Sequence, residues 1–455
     1  MCIRDSYIIV VIVALFAVLN FIITDGDWLD PAVIFSGVFL MQIMSCLLAT
    51  SYLHLVLHVE TVLILLIALS IFTLFSFWNH SKVRNSNVLE IAEQKKEFYP
   101  FMISKMITFL FIVLAVIVIY LKYKYLNSFA SAYGQGGLPL SKKISLFDAI
   151  TKFYPRVYKS LGVFPSSLLS NLELLVRSFA YLTAFSLVGN WIVNRKLQLQ
   201  QLLYLFLFTI VIYFGGSRSG IFRLFTFMIF IFYILLIRNG ANRTVLNKSV
   251  RKIIVSGVIL VTVFLSTMSL FGRASSTNIF HYLFVYIGAP LYNLDSFIQT
   301  YQLPRPEHYF GSQTFWSFYS WYLPKLHMST YKLDLPFVNY DSNYGLGNVY
   351  TTFYQFIYDF GFIGVAPLTA IFSWYYTGAY RKIRLLTNPS KVFDYRLIVY
   401  AFLFNDLFML FFSNRFYETV TNFGNVKFLL CVFIMGMILE GKGFRIGKFN
   451  FKLKS

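Results

Sequence analysis

The stretch Gln201–Phe214, QLLYLFLFTIVIYF, is followed by GGSRSGIFR at 215–223 and then by LFTFMIFIFYILLI at 224–237. Both flanks are apolar enough to lie in lipid, and three glycines and two arginines, Arg218 and Arg223, stand at the joint. A glycine hinge between two such segments reads as a tight turn between membrane spans. The purpose of its arginines depends on which side of the membrane the turn faces.

The rest of the chain repeats the pattern. Hydrophobic residues make up 58% of the 455 residues and charged residues 13%, far from the make-up of an ordinary soluble domain. Apolar runs near the ~20 residues needed to cross a bilayer recur from end to end. Eleven spans are expected, near 7–23, 32–52, 57–78, 101–121, 175–193, 201–214, 221–237, 253–271, 351–377, 397–412 and 426–439. The fold class is therefore all-α, one polytopic membrane domain over 1–455 with outer loops at 122–174 and 272–350. No run reads as a cleaved signal peptide, because the first is one of many. The opening MCIRDS is polar and fits poorly with the helix behind it.

Orientation follows from lysine and arginine in the short loops. Segments 79–100, 194–200, 238–252, 381–396 and 440–455 carry 4, 2, 5, 5 and 5 of them, 21 in total. With eleven spans these segments share one side, which is then cytoplasmic. The opposite loops 122–174 and 272–350 hold 7 and 4 over many more residues. The net charge of +20 is mostly this topology signal, with attraction to anionic lipid added. Nucleic acid is not an expected partner, since the basic residues are scattered over short turns.

Three cysteines, Cys2, Cys46 and Cys431, exclude a disulfide framework and a cysteine zinc site. His54 and His58 share a helix face at i, i+4, but no third ligand stands at a telling spacing. The pair reads as an interfacial polar edge, and neither a metal nor a cofactor is expected.

In this topology the hinge faces outward. Arg218 lies at the outer surface and Arg223 about one turn into the next span, whose N-terminus carries the positive end of a helix dipole and free N–H groups. Two guanidiniums, which bind phosphate bidentately and keep their charge, then describe an anion site just below the outer membrane surface. For Arg218 the alternative is a side chain that snorkels to lipid headgroups. Arg223, deeper and costlier there, leans toward function.

The second outer loop, 272–350, is far longer than a turn and rich in Tyr, Phe and Trp. Its aromatic content argues against disorder, and HYLFVYIGAPLYNLDSFIQ has helical spacing. It reads as an ordered, partly helical cap whose rings serve as an interfacial belt or stack on sugar. It also offers Arg273, His281, Asp295, Arg305, Glu307, His308, Asp334 and Asp341.

GSRSGIF opening a span, then YIGAPLYNLDSF, then YFGSQTFWSF, then GNVYTTFYQFIYDFGFIGV occur in that order. The succession resembles the oligosaccharide repeat unit polymerases, the O-antigen (Wzy-type) polymerase family, over roughly residues 30–440. The last motif, Asn348 to Val365, is the most specific. The resemblance implies a GT-C-like glycosyltransferase of the bacterial cytoplasmic (inner) membrane. Such enzymes transfer a growing glycan from undecaprenyl diphosphate onto the next lipid-linked repeat unit at the outer face. The implied partners are that lipid-linked oligosaccharide, membrane lipid, and a chain-length regulator and flippase of the same pathway.

The residues fit that chemistry. Departure of a lipid diphosphate builds negative charge, which fixed arginines stabilise without a metal. Arg218, Arg223 and Arg273 are the diphosphate candidates, with Arg305 and Arg415 behind them. Asn348 and Tyr350, which open the last motif, are further candidates for binding the substrate's diphosphate or glycan. The acceptor hydroxyl needs a base. Asp359 in IYDFG is the first candidate, with a helix–helix hydrogen bond as its equal alternative, and His308 and Asp341 follow. Gly361 and Gly364 read as close-packing positions. Two rivals stand: a ligase that moves finished glycan to another acceptor, and a flippase for the same lipid. A transporter tends to show repeated halves and broken helices at the midplane, and no repeat is seen here.

Overall fold

Capping residues set where the long helices begin. The computed structural model describes residues 3–53, 57–84, 100–216, 219–266, 284–305, 309–329, 331–339, 345–385, 393–441, 444–446 and 449–451. Asp30 Oδ1 accepts the Ala32 N–H at 2.9 Å, Ser104 Oγ that of Ile107 at 3.2 Å, and Ser166 Oγ that of Leu169 at 3.1 Å. Each satisfies one of the donors that a helix start leaves open. The helices so begun are α2 (Pro31–Leu53), α4 (Lys105–Ala132) and α7 (Ser167–Asn194). With them run α1 (Ile3–Ile23), α3 (Val59–Arg84), α5 (Leu140–Phe153), α6 (Pro155–Ser160), α8 (Leu199–Phe214), α9 (Ser219–Arg238) and α10 (Arg243–Ser266). The C-terminal part adds α11 (Ala289–Thr300), α12 (Trp316–Tyr322), α13 (Phe353–Phe360), α14 (Val365–Leu385), α15 (Tyr395–Phe408), α16 (Arg415–Val420) and α17 (Phe423–Leu439). The described strands form two short hairpins, Val338–Asn339 with Gly345–Gly347, and Phe444–Ile446 with Phe449–Phe451.

Five of these helices, at Pro31–Leu48, Val59–Ser81, Lys105–Ala132, Ser167–Asn194 and Ser219–Arg238, are long and apolar enough to cross a membrane. Tyr7–Ile23, Leu199–Phe214 and Phe423–Leu439 are shorter apolar helices. The protein is an all-α, multi-pass membrane protein.

Two expectations change shape. The expected ninth span, 351–377, is broken: α13 stops at Phe360, Gly361 takes φ +64°, Phe362–Gly364 forms a 3₁₀ turn, and α14 begins at Val365. Gly361 is needed for its left-handed φ and for space, because a Cβ there would meet Pro304 Cδ at 3.3 Å. The expected first outer loop, 122–174, is largely helical. Helix α4 runs on to Ala132, and α5 and α6 follow.

The chain folds as two compact units. Unit 1 comprises residues 1–94, 277–387 and 403–426. Its core is a phenylalanine stack joining α2, α3, α13 and α14. Phe35 lies 4.4 Å from Phe72 and 6.2 Å from Phe372, and Phe39 lies 5.6 Å from Phe353. In lipid, where burial alone gives helices little reason to associate, such ring pairs add about 0.5–1.5 kcal/mol each. Unit 2 comprises residues 95–276, 388–402 and 427–455. Its core centres on Tyr181, whose ring lies 4.9, 5.6 and 5.1 Å from Phe227, Phe402 and Phe428.

Within each unit, polar side chains join helix ends. In unit 1, Asp27 Oδ2 accepts the Tyr380 hydroxyl at 2.8 Å and pairs with Arg384 at 2.8 Å, and His80 pairs with Asp25 at 2.9 Å. All five residues fall on the side that the sequence-based topology expects to carry the basic loops. At the opposite ends, Asp295 Oδ1 accepts the His58 N–H at 2.8 Å and the Thr61 hydroxyl at 2.6 Å, and its Oδ2 pairs with His58 Nδ1 at 2.7 Å. In unit 2, Arg238 pairs with Asp394 at 2.9 Å on the basic side. At the other end Lys122 donates to the Val211 carbonyl at 3.0 Å and lies 3.3 Å from Glu173.

Candidate functional site

In unit 2 the hinge is a packed turn. Gly216 has φ +72°, and a Cβ there would come within 2.7 Å of Asp148 Cβ on α5. Backbone conformation and space both demand glycine. Ser217 and Arg218 lie outside the described residues.

Arg223, in the second turn of α9, turns onto the aromatic core. Its guanidinium carbon sits 4.6 Å from the centre of the Phe402 ring, and Nη1 donates to the Phe402 carbonyl at 3.2 Å. A second arginine, absent from the sequence-based candidates, shares that ring. Arg177 on α7 stands 5.6 Å from Phe402 and 4.2 Å from Phe428. Phe402 and Phe428 lie 4.9 Å apart. The result is an aromatic floor carrying two positive charges of like sign. Each gains about 0.5–2 kcal/mol from the ring faces. The signal for Arg177 was present in the sequence: an ionisable residue inside an expected span is functional by default.

Unit 1 holds the other described candidates. Asp359, in the last turn of α13, is buried, and its carboxylate collects a turn of the long loop. Oδ2 accepts the Thr314 N–H at 2.6 Å; Oδ1 accepts the Gln313 N–H at 3.1 Å and the Ser312 hydroxyl at 3.3 Å. The Thr314 hydroxyl donates back to the Gln355 carbonyl at 3.1 Å, and Asn414 Nδ2 donates to the Thr314 carbonyl at 3.1 Å. The oxygens of Asp359 are thus engaged with residues 312–314.

That turn in turn places Asp334. Gln313 Oε1 accepts the Asp334 N–H at 2.8 Å, the Tyr354 hydroxyl donates to the Asp334 carbonyl at 2.8 Å, and the Tyr358 hydroxyl donates to its Oδ2 at 3.0 Å. Arg305 lies beside it, Nη1 3.8 Å from Oδ2. The Arg305 N–H donates to the Tyr358 carbonyl at 2.7 Å, and its guanidinium sits 4.5 Å from the Tyr301 ring and 5.3 Å from the Tyr358 ring.

Tyr350 donates its hydroxyl to the Pro336 carbonyl at 2.9 Å and lies 4.1 Å ring to ring from Tyr354, so it is a buried strut. Burial holds its phenol well above the ordinary tyrosine range. Asn348 is half-buried, in a segment held by Asn293, whose Nδ2 donates to the Val349 carbonyl at 2.8 Å. Arg415 lies 3.3 Å from Glu418 on its own short helix and 5.9 Å from the Phe412 ring. Gly364 is a packing position, as expected: a Cβ there would meet Phe360 Cβ at 2.5 Å.

The structure therefore joins Asp359, Arg305 and Tyr350 into one network in unit 1 and pairs Arg223 with Arg177 in unit 2. Arg273, His308 and Asp341 lie outside the described residues, as do His54, His281 and Glu307. Among the described residues no group of three or more His, Cys, Asp or Glu could hold a metal ion. Comparison with family models, with curated proteins and with solved structures gave no match.

Proposed function

We propose that the protein is a membrane glycosyltransferase that polymerises undecaprenyl-diphosphate-linked oligosaccharide repeat units at the outer face of the bacterial cytoplasmic membrane. The observation that carries this reading is the pairing of Arg177 and Arg223 over Phe402 and Phe428. A diphosphate that departs with its lipid carries developing negative charge on the bridging oxygen. Two fixed guanidiniums beside a low-dielectric aromatic floor stabilise that charge as it forms. Neither arginine has to be reoriented from water, because α7 and α9 hold both.

Within this reading Asp359 is a positioning residue, since its oxygens are engaged by the 312–314 turn. The base that takes the acceptor proton is then sought among His308 and Asp341. The ordered motifs from GSRSGIF to GNVYTTFYQFIYDFGFIGV add the likeness to repeat unit polymerases.

The test is chain growth from purified lipid-linked repeat units by Arg177→Ala, Arg223→Ala and the lysine variants at matched protein level. Each alanine variant is expected to lose ~100-fold in turnover, about 2.7 kcal/mol of barrier. Lysine restores part, keeping the charge and losing the fork. Near-normal growth by the double alanine variant would sink the reading. A deletion strain separates the rivals: polymerase loss leaves one repeat unit attached to its acceptor, ligase loss leaves none, and flippase loss traps units inside.

A further inference from the structure

Arg305, Asp334, Tyr301 and Tyr358 make a second, differently constituted site in unit 1. Its charges cancel: one guanidinium faces one carboxylate at 3.8 Å, longer than a direct hydrogen bond. The side chains of both are 38% exposed, so their outer donors and acceptor face solvent. Tyr301, the ring beneath the guanidinium, is 40% exposed. The carboxylate cannot swing freely, because the Asp334 backbone is held at its N–H by Gln313 and at its carbonyl by Tyr354, while Tyr358 holds Oδ2. The guanidinium is held through the Arg305 N–H on the Tyr358 carbonyl and by the two rings.

Each candidate ligand can be weighed against this arrangement. A phosphate would meet Asp334, which repels it and already answers the arginine's charge. A lone cation would meet Arg305. An apolar ligand would strip water from both charged groups without replacing their hydrogen bonds, at a cost of about 1–3 kcal/mol for each polar group left unmet. A neutral polyol suits it. Adjacent hydroxyls donate to the carboxylate and accept from the guanidinium, and an aromatic edge borders the C–H face of the ring. We infer that Arg305 and Asp334, bordered by Tyr301 and Tyr358, form a subsite for an uncharged pyranose of the glycan, separate in chemistry from the diphosphate-binding arginine pair.

The ligand class rests on the proposed function, and the experiment keeps the two apart. Saturation-transfer NMR on the full-length protein in detergent micelles would use methyl glucoside, methyl N-acetylglucosaminide, methyl glucuronide and inorganic pyrophosphate as probes. The two neutral glycosides are expected to give signals that fall about five- to tenfold in Asp334→Asn and in Tyr301→Leu, with unchanged melting temperature. Glucuronide should bind several-fold more weakly than glucoside, and pyrophosphate should not displace either neutral sugar. Displacement of the glycosides by pyrophosphate, or signals untouched by both substitutions in folded protein, would overturn the subsite. Loss of sugar binding in these variants of a protein that polymerises nothing keeps the subsite and discards the polymerase. Normal polymerisation with sugar signals indifferent to both variants does the reverse.

Discussion

Arg223 and Arg305 both lie against aromatic rings, at 4.6 Å from Phe402 and 4.5 Å from Tyr301, yet the charged group that stands beside each differs. Beside Arg223 the nearby group on the same ring is another arginine; beside Arg305 it is a carboxylate. The ring contributes about the same in either place. The second charge differs in sign, and it is on this difference that the proposals match Arg223 to an anion and Arg305 to a neutral ligand. Arginine content alone would have grouped the two.

The largest expected effect separates them directly. Replacing both Arg177 and Arg223 by glutamine should lower polymerisation by ~10³-fold or more, about 4 kcal/mol of barrier, whereas Arg305→Gln should cost about tenfold and act mainly on KM. Equal losses in kcat, measured on lipid-linked units, would erase the distinction.

The next effect tests whether the Arg305 site depends on the turn beneath it. Asp359→Ala leaves the N–H groups of Gln313 and Thr314 without their acceptor and should destabilise the protein by about 2–4 kcal/mol, seen as a lower melting temperature. Sugar binding should fall with it, while pyrophosphate affinity at the arginine pair stays within twofold. If Asp359→Asn binds sugar normally but polymerises nothing, the carboxylate is catalytic and its positioning role falls.

A third carboxylate shows what happens when the counter-charge is shared. Asp30 is buried at the start of α2; burial first, then Asp27, push its carboxyl up to about 7. The single Arg384 guanidinium is closer to Asp27. Because the folded protein holds this proton more tightly than the unfolded chain, the contribution of Asp30 to stability is greatest below the ordinary carboxylate range and is lost as pH rises through about 7. Between pH 6 and 8 the loss should be about 1–2 kcal/mol. Asp30→Asn should flatten the melting-temperature profile over that window; an unchanged slope would contradict the assignment.

The smallest effect belongs to Arg415. Its partner Glu418 is three residues away on its own helix, and such a pair contributes about 0.5 kcal/mol or less. Arg415→Gln should change neither stability nor turnover beyond that. A large loss of turnover would move Arg415 beside Arg223 in kind.

How much of this was legible in the sequence depended on distance along the chain. The apolar runs located the long helices, because each is a local property of its own residues. The Lys/Arg count assigned sides to loops, but it named no pair such as Asp27 with Arg384 or His58 with Asp295. The helical first outer segment was missed because Lys122 looks like a stop for α4, whereas it is satisfied by the Val211 carbonyl and Glu173. The break at Gly361 was hidden inside a hydrophobic run whose glycine looked like a packing residue. It is one, against Pro304, but its left-handed φ also ends the helix. Asp359 was singled out correctly as a buried carboxylate, yet its partners lie 45 to 47 residues away, a separation that no spacing rule reaches. The same holds for Arg177 and Phe402.

Helix α13 is only eight residues long, and it holds the outer loop at two places: Tyr358 fixes Arg305 and Asp334, and Asp359 fixes residues 312–314. Such clamps divide the loop into bays. The stretch between Thr314 and Asp334 is tied back as well, because the Tyr331 hydroxyl donates to the Ser312 carbonyl at 2.8 Å and Trp321 stacks on Phe423 at 3.9 Å. Under the proposed function, such anchoring would let the surface between the clamps set which glycan is accepted while the residues that hold the clamps stay as they are.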